Sequence, residues 1–143
     1  MINAITEESE RIGFAQSERS QLLARTSIQL SDKIEFAPNK VKAYLAMSKV
    51  KIYLNDYDSA MYYAKTAEKI AVQKSLKTLN VRCLEAKGNV FAYQEKYEEA
   101  TKSYFDAIKK GGEISEKESI RGYASLGYVF KKLGNTKRSR DYC

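Results

Sequence analysis

The sequence predicts an all-α fold, a superhelical solenoid of stacked helical hairpins, and two observations predict it. The first is composition: Ala, Lys, Glu, Leu and Ser dominate the 143 residues, against one proline, Pro38, and seven glycines, a balance that favours long helices over sheet. The second is an internal repeat. A shift of 40 residues pairs Tyr57 with Tyr97, Ala60 with Ala100 and Ala67 with Ala107, and a further step of 39 brings Leu84 onto Tyr123, Gly88 onto Gly127 and Phe91 onto Phe130. A simple bundle has no reason to repeat its small residues at a fixed step, whereas stacked units that bury one face against each neighbour do. With 43% hydrophobic residues the chain has ample material for the core of one domain.

Residues 1–40 read as a degenerate first repeat. Ser20, Ala24 and Ser27 fall 40 positions before Ala60, Ala64 and Ala67, which marks the second helix of a hairpin. Upstream, Ile5, Ile12 and Phe14 are apolar but lack the small residues, so this stretch is expected to act as an N-terminal cap. Residues 41–80 form a full unit. Residues 81–119 form the clearest one, with a first helix over 79–94, a polar joint at Glu95-Lys96 and a second helix over 97–109. Gly88 and Ala100 carry almost no side chain and let these two helices approach; leucine at either site overpacks the contact by roughly 1–3 kcal/mol. Gly111-Gly112 fits the stop of that second helix, and Ser115 with Glu118 fits a capping box opening the next. Residues 120–143 read as an incomplete repeat carrying Tyr123, Leu126, Gly127, Phe130, Gly134 and Ser139, its second helix cut short at Cys143. Because repeat arrays normally end in a capping helix, the expectation is a fragment of a longer protein, or an end covered by another molecule.

In the clearest unit the recurring positions are Leu84, Gly88, Phe91, Tyr97, Ala100, Tyr104 and Ala107, and the preceding unit has Tyr44, Ser48, Tyr57, Ala60, Ala64 and Ala67, with Lys51 in place of an aromatic. This pattern resembles the tetratricopeptide repeat. The family's usual period is about 34; a step of 40 implies longer helices or longer turns between repeats, placed at AVQKSLKT (71–78) and KKGGEISE (109–116). Periods near 40 resemble the subgroup of bacterial regulators that includes the Rap, PlcR-like and MalT-like proteins. Tyr44, Tyr57, Tyr97, Tyr104 and Tyr123 occupy recurring positions and are expected in the core, whereas Tyr53, Tyr93 and Tyr128 are not explained by packing.

The resemblance implies that the first helix of each hairpin lines a concave groove used for protein or peptide binding. Carried over by position, the groove-facing residues are Lys42, Leu45, Lys49, Ile52 and Tyr53, then Arg82, Glu85, Asn89, Ala92 and Tyr93, then Arg121, Ala124, Tyr128, Lys131 and Lys132. The candidate partner-binding set is Lys42, Lys49, Tyr53, Arg82, Asn89, Tyr93, Arg121, Tyr128 and Lys132, a basic and tyrosine-lined surface suited to an acidic peptide or a terminal carboxylate. Asparagine at the position of Asn89 often holds the backbone of a bound peptide in the family. The family's carboxylate clamp for chaperone C-termini is not matched, since Leu45 and Lys49 replace its lysine and asparagine.

The sequence offers little for catalysis. It has no histidine, which removes the commonest general base and metal ligand. Cys83 and Cys143 match no zinc or redox spacing, no phosphate-binding glycine motif occurs, and Glu7-Glu8 and Glu98-Glu99 read as solvated helix faces. No enzyme, metal or cofactor is expected, and Cys83 reads as a small buried residue. The net charge of +7 favours acidic partners. Nucleic acid is the rival partner, through Lys131, Lys132, Lys137, Arg138 and Arg140, but no DNA-reading motif accompanies them, so a solvated face is the expected reading. No apolar run is long enough to insert in a membrane, and the N-terminus lacks a signal-peptide pattern; the expected location is the cytoplasm, unless the chain is a fragment of an exported or membrane-anchored protein. The leading functional reading is a non-enzymatic binding scaffold. The alternative is the peptide-responsive sensory region of a bacterial transcriptional regulator or signalling enzyme, in which a ligand alters superhelix curvature. A third reading is self-assembly, as a homodimer, through the unfinished last repeat.

Overall fold

The computed structural model describes Asn3, Ala4 and residues 17–141, the side chains of Ser17, Ile34 and 135–141 excepted. Among the described residues it contains helices and no strand: α1 (Ser17–Ile34), α2 (Ala37–Tyr53), α3 (Tyr57–Gln73), α4 (Lys77–Tyr93), α5 (Tyr97–Ile114) and α6 (Glu116–Asp141). Each helix packs on the next. The helices α2, α4 and α6 also touch one another in series, whereas α1, α3 and α5 touch only their flanking neighbours. This produces an inner layer of α2, α4 and α6 and an outer layer of α1, α3 and α5, the arrangement of a helical-hairpin solenoid.

α3 and α5 are wedged between inner helices, and α1 packs on α2, because one stripe of each is small. Ser20, Ala24, Ser27 and Ser31 of α1 are buried, as are Ala60, Ala64, Ala67 and Ala71 of α3 and Ala100, Tyr104, Ala107 and Gly111 of α5. These residues recur at i, i+4, i+7 and i+11, one face of a helix, and the same four positions repeat 40 residues apart. Buried hydroxyls on these faces are paired: Ser31 donates to the Ser27 carbonyl at 2.8 Å, and Ser48 of α2 donates across the hairpin to the Ala60 carbonyl at 2.8 Å. In the next hairpin the residue matching Ser48 is Gly88, and the ring of Tyr104 takes the space. A Cβ on Gly88 would stand 2.7 Å from that ring.

The turns repeat every 20 residues. Asn55, Ser75 and Glu95 have φ of 59°, 54° and 61°, and Glu35 shares the conformation at 53°. At each of the first three, the N–H of the left-handed residue bonds back to the carbonyl three before it, and the next N–H reaches the carbonyl five before it: Asn55 to Ile52 and Asp56 to Lys51, Ser75 to Val72 and Leu76 to Ala71, Glu95 to Ala92 and Lys96 to Phe91. This is the Schellman stop of a helix, here without the usual glycine. The turns from α2 to α3, from α3 to α4 and from α4 to α5 therefore have the same three-residue form, and the 40-residue period resides in helices of 17 residues, α2 to α4. Lys51, at a position where the family has an aromatic, donates to Gln21 of α1 at 3.0 Å, its stem covered and its ammonium tied to the neighbouring helix.

Three sequence expectations are corrected. Gly111-Gly112 does not end a helix; both lie within α5. Gly111 is a packing site, since a Cβ there would stand 2.8 Å from the Glu118 carbonyl oxygen. The turn to α6 is instead made by Ser115, in extended conformation, whose hydroxyl accepts from the Glu118 N–H at 3.3 Å while its own N–H goes to the Gly111 carbonyl at 2.9 Å, so only half of the capping box forms. The last unit is also not a hairpin in the making: α6 runs unbroken from Glu116 to Asp141. Tyr123, expected in the core, is 58% exposed, Phe130 is 51% exposed, and Gly127 has nothing within 4 Å of a Cβ. The face of α6 that meets the preceding outer helix is formed by Gly122, Leu126 and Val129, packed on Ile108 and Tyr104. Tyr123, Gly127 and Phe130 lie on the face that α5 covers in α4, and no described helix covers it here. Ile5, Ile12, Phe14, Cys143 and the side chain of Ser139 lie outside the described residues.

Two substitutions test this packing. Gly88→Leu is expected to lower the melting temperature by several degrees in circular dichroism, because the buried Tyr104 ring cannot yield; an unchanged melt would place the ring elsewhere. Glu95→Gly is expected to raise it, relieving a left-handed conformation that costs a side-chain-bearing residue about 1–2 kcal/mol, and a lowered melt would contradict the turn geometry.

Candidate functional site

A cavity of about 430 Å³ opens along the inner layer, lined by residues of α2, α4 and α6 and by Asn3. Helix periodicity decides which side chains reach it. On α2 the residues Lys42, Leu45, Lys49 and Tyr53, spaced at three and four, share one face, and all four line the cavity. On α4 the same spacing delivers Arg82, Glu85, Asn89 and Tyr93, and α6 contributes Arg121. Of the candidate set read from the sequence, Lys42, Lys49, Tyr53, Arg82, Asn89, Tyr93 and Arg121 are thus brought together. Tyr128 and Lys132 are not in the lining. They lie further along α6, with the Lys132 ammonium 5.5 Å from the centroid of the Tyr128 ring, a cation–π pair on an exposed surface.

The cavity is amphipathic. Leu45, Ile52 and Ala86 supply an apolar floor, and Lys42, Lys49 and Arg82 make no ion pair among the described residues. Tyr93 is held above the usual tyrosine range by partial burial first and then by neighbouring Tyr53 and Tyr128, so a row of tyrosines, one from each inner helix, runs beside the cations. Asn89 is oriented from below. The Tyr104 hydroxyl of α5 donates to its Oδ1 at 2.5 Å, leaving the amide nitrogen as the group available to a ligand carbonyl. Tyr104 is itself buried, which pushes its hydroxyl up, with Glu85 as the next cause.

Glu85 changes the electrostatics from those of a purely basic groove. Its residue exposure is 8%. Its Oε2 lies 3.3 Å from an Arg121 guanidinium nitrogen on α6, and its Oε1 has no hydrogen-bond partner among the described residues. Burial pushes the carboxyl above the usual glutamate range; Arg121 and then Arg82 pull it back, and Glu118 opposes them. The fifth position of the unit is visible in the sequence, but the pairing with Arg121 joins residues 36 apart and is set by the stacking of α4 on α6. Ser48 and Ala86 also line the cavity without any sequence signal for that role. Cys83 is buried on the opposite side of α4, beside Val41 and Ala67, and its thiol is pushed up to about 12 by burial, which suits packing and not reactivity.

The Glu85 shift has a testable sign. A carboxyl raised in the folded state binds its proton more tightly there than in the unfolded chain, so its contribution to stability is lost as pH rises from the ordinary glutamate range through the raised value. Carbon-13 NMR of the glutamate carboxyls is expected to show Glu85 titrating above the exposed glutamates, and higher still in Arg121→Gln. A normal titration would mean that the carboxylate is solvated.

No family model matches the sequence, and no curated protein matches it. Solved structures do match it by fold. The crystal structure of a Rap protein complexed with Competence and Sporulation Factor superposes with a TM-score of 0.78 at 15% identity, over 95% of this chain and 40% of that one. The apo form of RapI superposes with a TM-score of 0.72 at 15% identity, over 97% of this chain and 53% of that one. The chain thus spans about half, or less, of the length of each. At this identity the likeness is one of fold: the chain has the helical-hairpin solenoid seen in the Rap proteins.

Proposed function

We propose that the chain is a non-enzymatic scaffold that binds a protein or peptide segment in the groove of its inner layer. The observation that carries this is the convergence of Lys42, Arg82 and Arg121, one cation from each inner helix, on a single cavity with Asn89, Tyr53 and Tyr93. The chemistry suits an acidic segment: guanidinium and ammonium groups hold carboxylates, Asn89 meets the ligand backbone, and the tyrosines with Leu45 and Ile52 cover its apolar parts. Direct nucleic-acid binding is not favoured, because the cations face a concave pocket with an apolar floor. In the C-terminal basic cluster, the side chains of Lys137, Arg138 and Arg140 lie outside the described residues. No described helix is long and apolar enough to cross a membrane, and a cytoplasmic setting accords with the unpaired Cys83.

A sensory role is the second reading, favoured by one observation: a Rap protein of the same fold forms a complex with Competence and Sporulation Factor. Under this reading, occupancy of the groove shifts how the inner helices stack and so biases whatever the array is attached to.

The binding proposal is tested by titrating a library of acidic hexapeptides in fluorescence polarisation. Wild-type protein is expected to select ligands, and the double variant Lys42→Glu with Arg82→Glu to lose them by at least about tenfold while keeping its helical circular dichroism. Undiminished binding by the double variant would move the site off this groove.

A further inference from the structure

We propose that Glu85 is a resident competitor at the anion subsite of the groove: it holds Arg121 until a ligand carboxylate takes its place. The inference rests on the reading of the groove as a binding site for acidic segments and adds how that site is regulated. Four cations line the cavity, Lys42, Lys49, Arg82 and Arg121, and among the described residues Arg121 is the one that a carboxylate neutralises.

The two partners differ in setting. Glu85 approaches from beneath, buried, with one oxygen lacking a donor among the described residues. The Arg121 side chain is 49% exposed and spans from α6 into the cavity. A buried carboxylate with an unmet acceptor is costly to keep charged, so the pair is a weak one. A ligand carboxylate arriving from the solvent side meets the same guanidinium, whose five N–H donors allow an exchange without a gap in hydrogen bonding. Once Arg121 turns to the ligand, Glu85 has lost its nearest counter-charge in a buried place. It still faces Glu118 from α6 and Tyr104 from α5, with Arg82 on its own helix and Lys42 and Lys49 across the cavity on α2. Its stable form there is the protonated one. The exchange therefore balances as ligand carboxylate plus one proton entering, with Arg121 passing from Glu85 to the ligand and Glu85 becoming neutral. Among the described residues, Glu85 to Arg121 is also the ion pair that joins α4 to α6, so the same event loosens one inner helix from the next.

The test is calorimetric titration of hexa-aspartate into the purified chain at slightly acidic pH, in two buffers of different ionisation enthalpy. Wild-type protein is expected to take up protons on binding, approaching one per site. Glu85→Gln, which frees Arg121 and cannot take up the proton, is expected to bind roughly tenfold tighter with the uptake abolished. The proton count on wild-type protein tests the exchange even if the variant fails to fold. Equal affinity with no proton uptake would overturn the proposal, as would weaker binding by Glu85→Gln, which would mean that Glu85 holds the ligand. If hexa-aspartate binds neither protein and the hexapeptide library likewise fails, the groove reading itself falls and the competitor with it; peptide binding that Glu85→Gln leaves unaltered removes the competitor alone.

Discussion

Close approach of helices along one small-residue stripe is the constraint on which the rest of this structure depends. At the positions of Ser20, Ala60 and Ala100, and again at Ser27, Ala67 and Ala107, nothing larger than a hydroxymethyl group stands between an outer helix and the inner helices beside it. The gain is dispersion and burial over the whole helix length, since the neighbours come near enough for interdigitation. Where the stripe admits a large residue, as at Tyr104, the opposing helix yields a side chain altogether at Gly88. Tyr104 then does a second task, passing through the hairpin to hold the amide of Asn89 on the groove side. Core packing and groove chemistry are joined in that residue.

Identical turns convert this local contact into a solenoid. A Schellman stop every 20 residues, at Asn55, Ser75 and Glu95, gives α2, α3 and α4 the same length and the connections after them the same reach, so α2 and α4 follow one another in register and present the same face. Lys42 and Arg82, or Tyr53 and Tyr93, therefore line up by construction. The turns achieve this at Asn55, Ser75 and Glu95, without glycine, which means that tertiary packing of the flanking helices over-determines a conformation these residues do not favour.

The groove that results is more structured than a strip of positive charge. Its cations stand over apolar residues, its asparagine is pre-oriented, and one carboxylate sits beneath the cation supplied by α6. A buried ion pair at such a place is weak evidence for stability; its location between two inner helices makes it a natural point for ligand binding and helix stacking to influence each other. α6 is where both meet, because it carries Arg121 into the cavity and also carries a face, with Tyr123 and Phe130 exposed, that no described helix covers.

The sequence by itself determined the helical class, the 40-residue unit and the small stripe, and the family resemblance, carried over by position, implied groove-facing residues among which Lys42, Lys49, Tyr53, Arg82, Asn89, Tyr93 and Arg121 line the cavity. All of these are short-range or periodic signals that a single strand of text preserves. The sequence placed the joint at Glu95-Lys96 but did not reveal the left-handed form of the turns, because their left-handed residues are Asn, Ser and Glu and carry no glycine mark. It also misplaced Gly111 and Gly127, because a helical glycine reads alike whether it ends a helix, admits a neighbour or faces solvent. Those outcomes, like the pairing of Glu85 with Arg121, depend on which helix lies opposite. Only the tertiary structure decides that, since burial and charge pairing are properties of two surfaces brought together and not of either one alone.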